Sequence, residues 1–205
     1  MSKIAVSLAA VIFTVFAAPV SAAIVYTDSA SFLPLVQAGS YLNTFSSQGN
    51  GGSAGIPTLS YSGLGFAYDV TADTSGLFAD NFTIGNFAAA NPVVFTFTGN
   101  PVTAIGGNFY LTDINGVLRT NADVTIQLSD GTIETFNASS TSAYRGFIST
   151  GPAITSMTLS PVVRFYNVYN LTVGTAVPEP ATIGLIATAG AIALVARRRR
   201  LSRSN

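Results

Sequence analysis

Between Ile24 and Gly174 the sequence has no long helical period. It runs in short stretches of Val, Ile, Phe, Tyr and Thr, cut by Gly, Asn, Asp and Pro. Such stretches predict strands, and the residues between them predict turns. Asp123 to Phe136 is the clearest case. Alternation holds on both sides of Asp130-Gly131 and sets Val124, Ile126 and Leu128 on one face of the first arm of a hairpin. Further strands are expected at 24–27, 41–45, 58–61, 65–70, 81–87, 93–98, 102–112, 144–149, 154–159 and 162–173. A brief helix is expected over Ser31 to Val36, capped by Asp28 or Ser29 and ended by Gly39. Ser46 to Pro57 is rich in Gly and Ser and predicts a surface loop; no Gly-Lys-Ser/Thr pattern follows to make it a phosphate cradle. Many short strands without long helices define an all-β fold, a single antiparallel β-sandwich for which a jelly roll is the preferred topology.

Two apolar runs bracket this domain. At the start, Met1-Ser2-Lys3 is a cationic n-region, Ile4 to Ala18 an apolar h-region, and Pro19 to Ala23 a stretch of small residues with Val20 and Ala22 at the positions a signal peptidase reads. Residues 1–22 are therefore expected to be a signal peptide, with the mature chain starting near Ala23.

The last segment, 175–205, has three parts in order. Pro178-Glu179-Pro180 is extended, because two prolines fix φ and lack amide donors. Residues 181–196 form an uncharged run, expected to be one transmembrane helix, in which the backbone satisfies itself inside lipid. At about 1.5 Å per residue it spans about 24 Å, short of a hydrocarbon core of roughly 30 Å, and snorkelling arginines make up part of the difference. Arg197, Arg198, Arg199 and Arg200 then hold that end in the cytoplasm.

Val177-Pro178-Glu179-Pro180, the apolar run and the arginines together resemble the C-terminal sorting signal of PEP-CTERM proteins, which are exported bacterial proteins. The resemblance implies a precursor held in the inner membrane by its single C-terminal helix and processed by a membrane-embedded exosortase. The mature domain is then expected at the cell surface or outside the cell, with extracellular polysaccharide as a candidate partner. Val102 to Thr112, the Asp130-Gly131 hairpin and Tyr169 to Gly174 are also similar to ectodomains common in that group, which resemble carbohydrate-binding sandwiches. This second resemblance implies a fold for residues 23–174 and no specific ligand.

The termini also explain the composition. A mean hydropathy of +0.47 suggests a membrane protein, yet the long apolar runs lie at the two ends. Without those ends, Arg119, Arg145 and Arg164 face eight carboxylates, so the domain is acidic, which argues against nucleic acid as a partner. With no cysteine it cannot rely on disulfides, but about 150 residues suffice to bury one core.

Catalysis is poorly provided for. The chain has no His or Cys, and Lys3 lies in the segment expected to be removed, so the usual general base, the common nucleophilic pairs and the soft metal ligands are all missing. The domain is expected to be non-enzymatic and to need no cofactor. A glycosidase would need two facing carboxylates about 5 to 10 Å apart. Glu134 falls at an exposed hairpin position and Asp130 is accounted for by its turn. Asp113, Asn115 and Asp123 offer oxygens that a calcium ion accepts, but Asn115-Gly116 also reads as a plain tight turn, which is the preferred reading. Asp69, Asp73 and Asp80 read as solvated surface. Tyr61, Phe66, Tyr68, Tyr110, Tyr144, Phe147, Tyr166 and Tyr169 are candidate sugar platforms, with core burial the default at strand positions, and no sugar contact is assigned. Two functions remain for the domain: a structural or adhesive surface component, or a secreted carbohydrate-binding module with calcium as a candidate ligand.

Overall fold

The computed structural model describes residues 22–46, 53–80, 82–160 and 163–178. The expected signal-peptide core and the transmembrane run 181–196 lie outside them; among the described residues no helix is long and apolar enough to cross a membrane. The strands are β1 (Ile24–Tyr26), β2 (Tyr41–Asn43), β3 (Ser53–Ile56), β4 (Thr58–Gly63), β5 (Phe66–Ala72), β6 (Leu77–Asp80) and β7 (Thr83–Asn86). They continue with β8 (Val93–Phe97), β9 (Ala104–Thr112), β10 (Asp123–Leu128), β11 (Ile133–Asn137), β12 (Tyr144–Ile148), β13 (Ser156–Leu159) and β14 (Phe165–Gly174).

These form two antiparallel sheets. The eight-stranded sheet runs β1-β12-β9-β14-β7-β6-β3, with β2 also paired to β14; the six-stranded sheet runs β11-β10-β13-β8-β5-β4. From β7 onward the chain crosses between sheets at every connection except the β10–β11 hairpin. The register explains the burial. Val124, Ile126 and Leu128 of β10, Phe109 and Leu111 of β9, and Val168, Leu171 and Val173 of β14 all point into one core between the sheets. At its centre Tyr68 is fully covered, and its hydroxyl accepts a 2.8 Å bond from Asn43 Nδ2. Burial raises the Tyr68 pKa.

The hairpin turn differs from a two-residue connection. Gly131 N donates to Leu128 O at 3.1 Å and Leu128 N donates to Thr132 O at 2.9 Å, so three residues close it, with Gly131 at φ +90°. This is the three-residue loop in which a glycine takes the left-handed position. Two further differences concern strands. Ser53–Ile56, inside the expected loop, pairs with β6, and β6 itself fell in no expected strand. The short helix is present: α1 (Ser29–Phe32) has Asp28 as its N-cap, whose Oδ1 accepts from Ser31 N at 2.7 Å, and it runs into a 3-10 turn, Leu33–Leu35. That bond, with a second from Ser31 Oγ, holds the Asp28 pKa below its ordinary value.

This helical segment lies on the outer face of the eight-stranded sheet and is keyed there by Phe32, which is fully buried. Its ring occupies a furrow that only glycine leaves open. A Cβ on Gly106 would lie 2.6 Å from the ring and one on Gly146 2.5 Å from it.

Candidate functional site

The N-terminal strand and the C-terminal strand end side by side. Ile24 pairs with Ile148, Ile148 with Ala104, and Ala104 with Gly174, so the start of β1 and the end of β14 lie in one row across four strands. Three strand spacings make the separation about 14 Å. The first and last strands therefore enter and leave the sandwich at the same, proximal end.

The C-terminal exit is tied down. Beyond β14, Gln37 N donates to Thr175 O and Val177 N to Leu35 O, both at 2.8 Å, around a Val36–Ala176 bridge. Ala176 N also donates to Thr103 Oγ1 at 2.8 Å. Folded structure thus reaches Val177, with Pro178 exposed immediately after it. Glu179, Pro180 and Arg197 to Arg200 lie outside the described residues, as does Val20. Ala22 is exposed and Ala23 is buried, its N donating to Thr132 Oγ1 at 2.7 Å. Bonded structure among the described residues thus runs from Ala23, beside the expected signal-peptidase site, to Val177, beside the Pro-Glu-Pro tripeptide.

The outer face of the eight-stranded sheet carries an open groove of about 540 Å³ toward its far end. Its apolar lining includes Phe78, Phe87, Tyr110 and Phe165, with Asp80, Asn115 and Asn167 between them. Phe87 is 48% exposed, unusual for a ring in this domain. Burial and the neighbouring Tyr169 raise the Tyr110 pKa. Of the rings considered from the sequence, Tyr61, Phe66, Tyr68, Phe147 and Tyr166 are buried, while Tyr110 lines the groove. Burial also pushes Tyr166 up to about 12. Phe78, Phe87 and Phe165 went unnoticed because nothing local marks a strand ring as outward-facing.

The carboxylates are mostly occupied by protein donors. Asp113 Oδ1 accepts from Asn115 N and Val117 N, each at 2.9 Å, while Oδ2 pairs with Arg119. These contacts lower the Asp113 pKa, the Val117 bond most. Asn115 and Gly116 are exposed, with Gly116 at φ +75°, and Asp123 heads β10 in the other sheet with its Oδ1 against Asn137 Nδ2. Among the described residues no group of three or more potential metal ligands of the His, Cys, Asp or Glu type is present. Glu134, placed by pattern at an exposed position, is instead partly covered and bonded by Arg145 Nε at 2.8 Å. Asp69 accepts from Ser60 Oγ at 2.6 Å and Asp73 from Thr74 N at 2.7 Å.

No curated protein and no solved structure matches this chain. A family model does match at its C-terminal end, and the matched stretch begins at Ala176, inside the segment bonded to Leu35 and Gln37. Residues 176–200 carry the PEP-CTERM protein-sorting motif.

Proposed function

We propose that the chain is an exported, non-enzymatic surface or extracellular-matrix protein whose tail is a transient membrane anchor and a sorting signal read by an exosortase. The observation that carries this reading is the junction. The sorting motif starts within one residue of the last strand pairing of the domain, so the tail is an appendage to a complete sandwich. Signal peptidase would release the N-terminus and the exosortase the C-terminus, both at the proximal end. The crossing of β7 to β14 between the sheets supports the jelly-roll topology. The engagement of most described carboxylates in caps, turns and ion pairs supports a non-enzymatic role.

The test is replacement of Pro178, Glu179 and Pro180 together by Ala, followed by intact mass on membrane and extracellular fractions. The expected result is normal export with an uncleaved, membrane-bound precursor. Normal maturation of that variant would sink the reading.

The groove favours a second reading, a carbohydrate-binding module. Rings beside amide and carboxylate groups suit a sugar, whose apolar face stacks and whose hydroxyls bond. Calcium is not required by this reading, since the Asp113 oxygens already have protein donors. Phe87→Ala with Phe165→Ala should abolish retention on extracellular polysaccharide from the producing cells, in the presence or absence of a chelator. Unchanged retention would remove the groove from consideration.

A further inference from the structure

The β10–β11 turn holds a carboxylate that its local role does not explain. Asp130 is 6% exposed, and its Oδ1 accepts from Thr132 N at 2.9 Å, the usual bond of such a turn. An asparagine oxygen would serve that bond equally well. The second oxygen, Oδ2, is buried and has no hydrogen-bond partner. The ion pairs of the described residues are Arg119–Asp113 and Arg145–Glu134, so no side-chain cation compensates Asp130. A buried carboxylate oxygen without a partner is costly.

A change of charge is available at the chain's own start, which Thr132 links to Asp130. Thr132 joins the two groups: its N donates to Asp130, and its Oγ1 accepts from Ala23 N at 2.7 Å. In the precursor Ala23 N is an amide with a single hydrogen, which Thr132 already takes. Hydrolysis of the Ala22–Ala23 bond consumes one water and leaves a carboxylate on Ala22 and an ammonium on Ala23. That ammonium keeps the bond to Thr132 and gains two further donors and a positive charge.

We propose that removal of the signal peptide completes a buried ion pair between the new Ala23 ammonium and Asp130, so that the domain reaches full stability only after export. The inference rests on cleavage before Ala23 and is independent of the sorting tail. Few other charges act on the pair. Asp28, beyond β1, is the one other charged residue of the N-terminal segment, and the β4–β5, β8–β9 and β12–β13 connections that share this end contain none.

The test compares two chains in detergent, one running from Ala23 to Asn205 with a free amine and one retaining Ser21-Ala22 ahead of it, each with and without Asp130→Asn. The oxygen of the amide in Asp130→Asn keeps the turn bond, and the variant replaces the charged second oxygen by a neutral NH2 group that cannot pair with an ammonium. At pH 6.5 the chain starting at Ala23 should melt about 5 °C above the extended one, and Asp130→Asn should erase that gap. An unpaired α-amine titrates at about 7.7–8.0, and pairing with a carboxylate raises that value. The gap should therefore be full below about pH 7.5 and close as the pH rises through the raised value. Equal melting of the two chains, or a gap that survives Asp130→Asn, overturns the ion pair. Protein from native cells that starts elsewhere than Ala23 overturns the cleavage reading, and the coupling to export with it.

Discussion

Leu64 shows what a single position can cost. The β4–β5 connection is two residues, Leu64 and Gly65, at φ +53° and +86°, as a type I′ turn requires. Gly65 adopts that region freely, but a leucine there sets Cβ against the backbone at about 1 kcal/mol or more, and Asn or Asp is the usual occupant. The leucine gains nothing from burial, being 69% exposed. Leu64→Asn should therefore stabilise the domain by about 1 kcal/mol and raise Tm by about 3 °C, as read by thermal melting. No rise would mean that Leu64 makes a compensating contact in solution. From sequence Leu64 reads only as part of a gap between strands and Gly65 as the start of the next strand, since the strain appears once both φ values are known.

The helical segment owes its place to Phe32, because so short a helix has little stability of its own. Phe32 presses on Gly106 and Gly146 on one side, and the residues that follow it bond the C-terminal exit through Leu35 and Gln37. Phe32→Ala should cost about 3 kcal/mol or more, within the range for a fully buried Phe. It should also speed amide exchange at Gln37, Ala176 and Val177 beyond what global destabilisation explains, whereas Phe32→Leu keeps much of the protection. Equal exchange in both variants would show that the exit is held without the ring. The helix was legible, with Asp28 as one of two candidate caps, because capping is a local signal, as was the alternation of β10; its start at Ser29, two residues before the expected Ser31, settles the cap on Asp28. Strands β3 and β6 were not, since Ser53-Ala54-Gly55-Ile56 and Leu77-Phe78-Ala79-Asp80 have weak or mixed propensity and become strands by pairing, β6 with β7 and β3 with β6. The groove was hidden for a related reason: β6, β7, β9 and β14 meet only in the folded sheet, whereas the sorting motif is contiguous and reads directly.

For the whole molecule, charge and apolar exposure are arranged along the strand direction. The proximal connections carry no exposed charge, while Ile24, Leu35, Leu64 and Val177 project apolar surface there. The far end holds Asp73, Asp113, Arg119 and Arg164 in its connections. With residues 181–196 seated in a bilayer as proposed, the chain from Val177 to Ala181 spans at most about 14 Å. Headgroups occupy roughly 5 to 8 Å of that on each side, so the proximal end must rest at the lipid surface. An end without exposed charge there avoids repulsion from anionic lipid, and the strained, exposed Leu64 becomes a contact residue. The native chain lacks cysteine, so Leu64→Cys and Ile114→Cys each provide one labelling site on the full-length precursor. In phosphatidylglycerol-containing vesicles a polarity-sensitive dye at position 64 should shift to the blue and be quenched by lipid-borne spin labels, while one at position 114 behaves as in water. Equal quenching at both positions would mean that the domain lies on its side. The absence of quenching at either would mean that it stands clear of the membrane and that the exit strand unpairs to lengthen the tether.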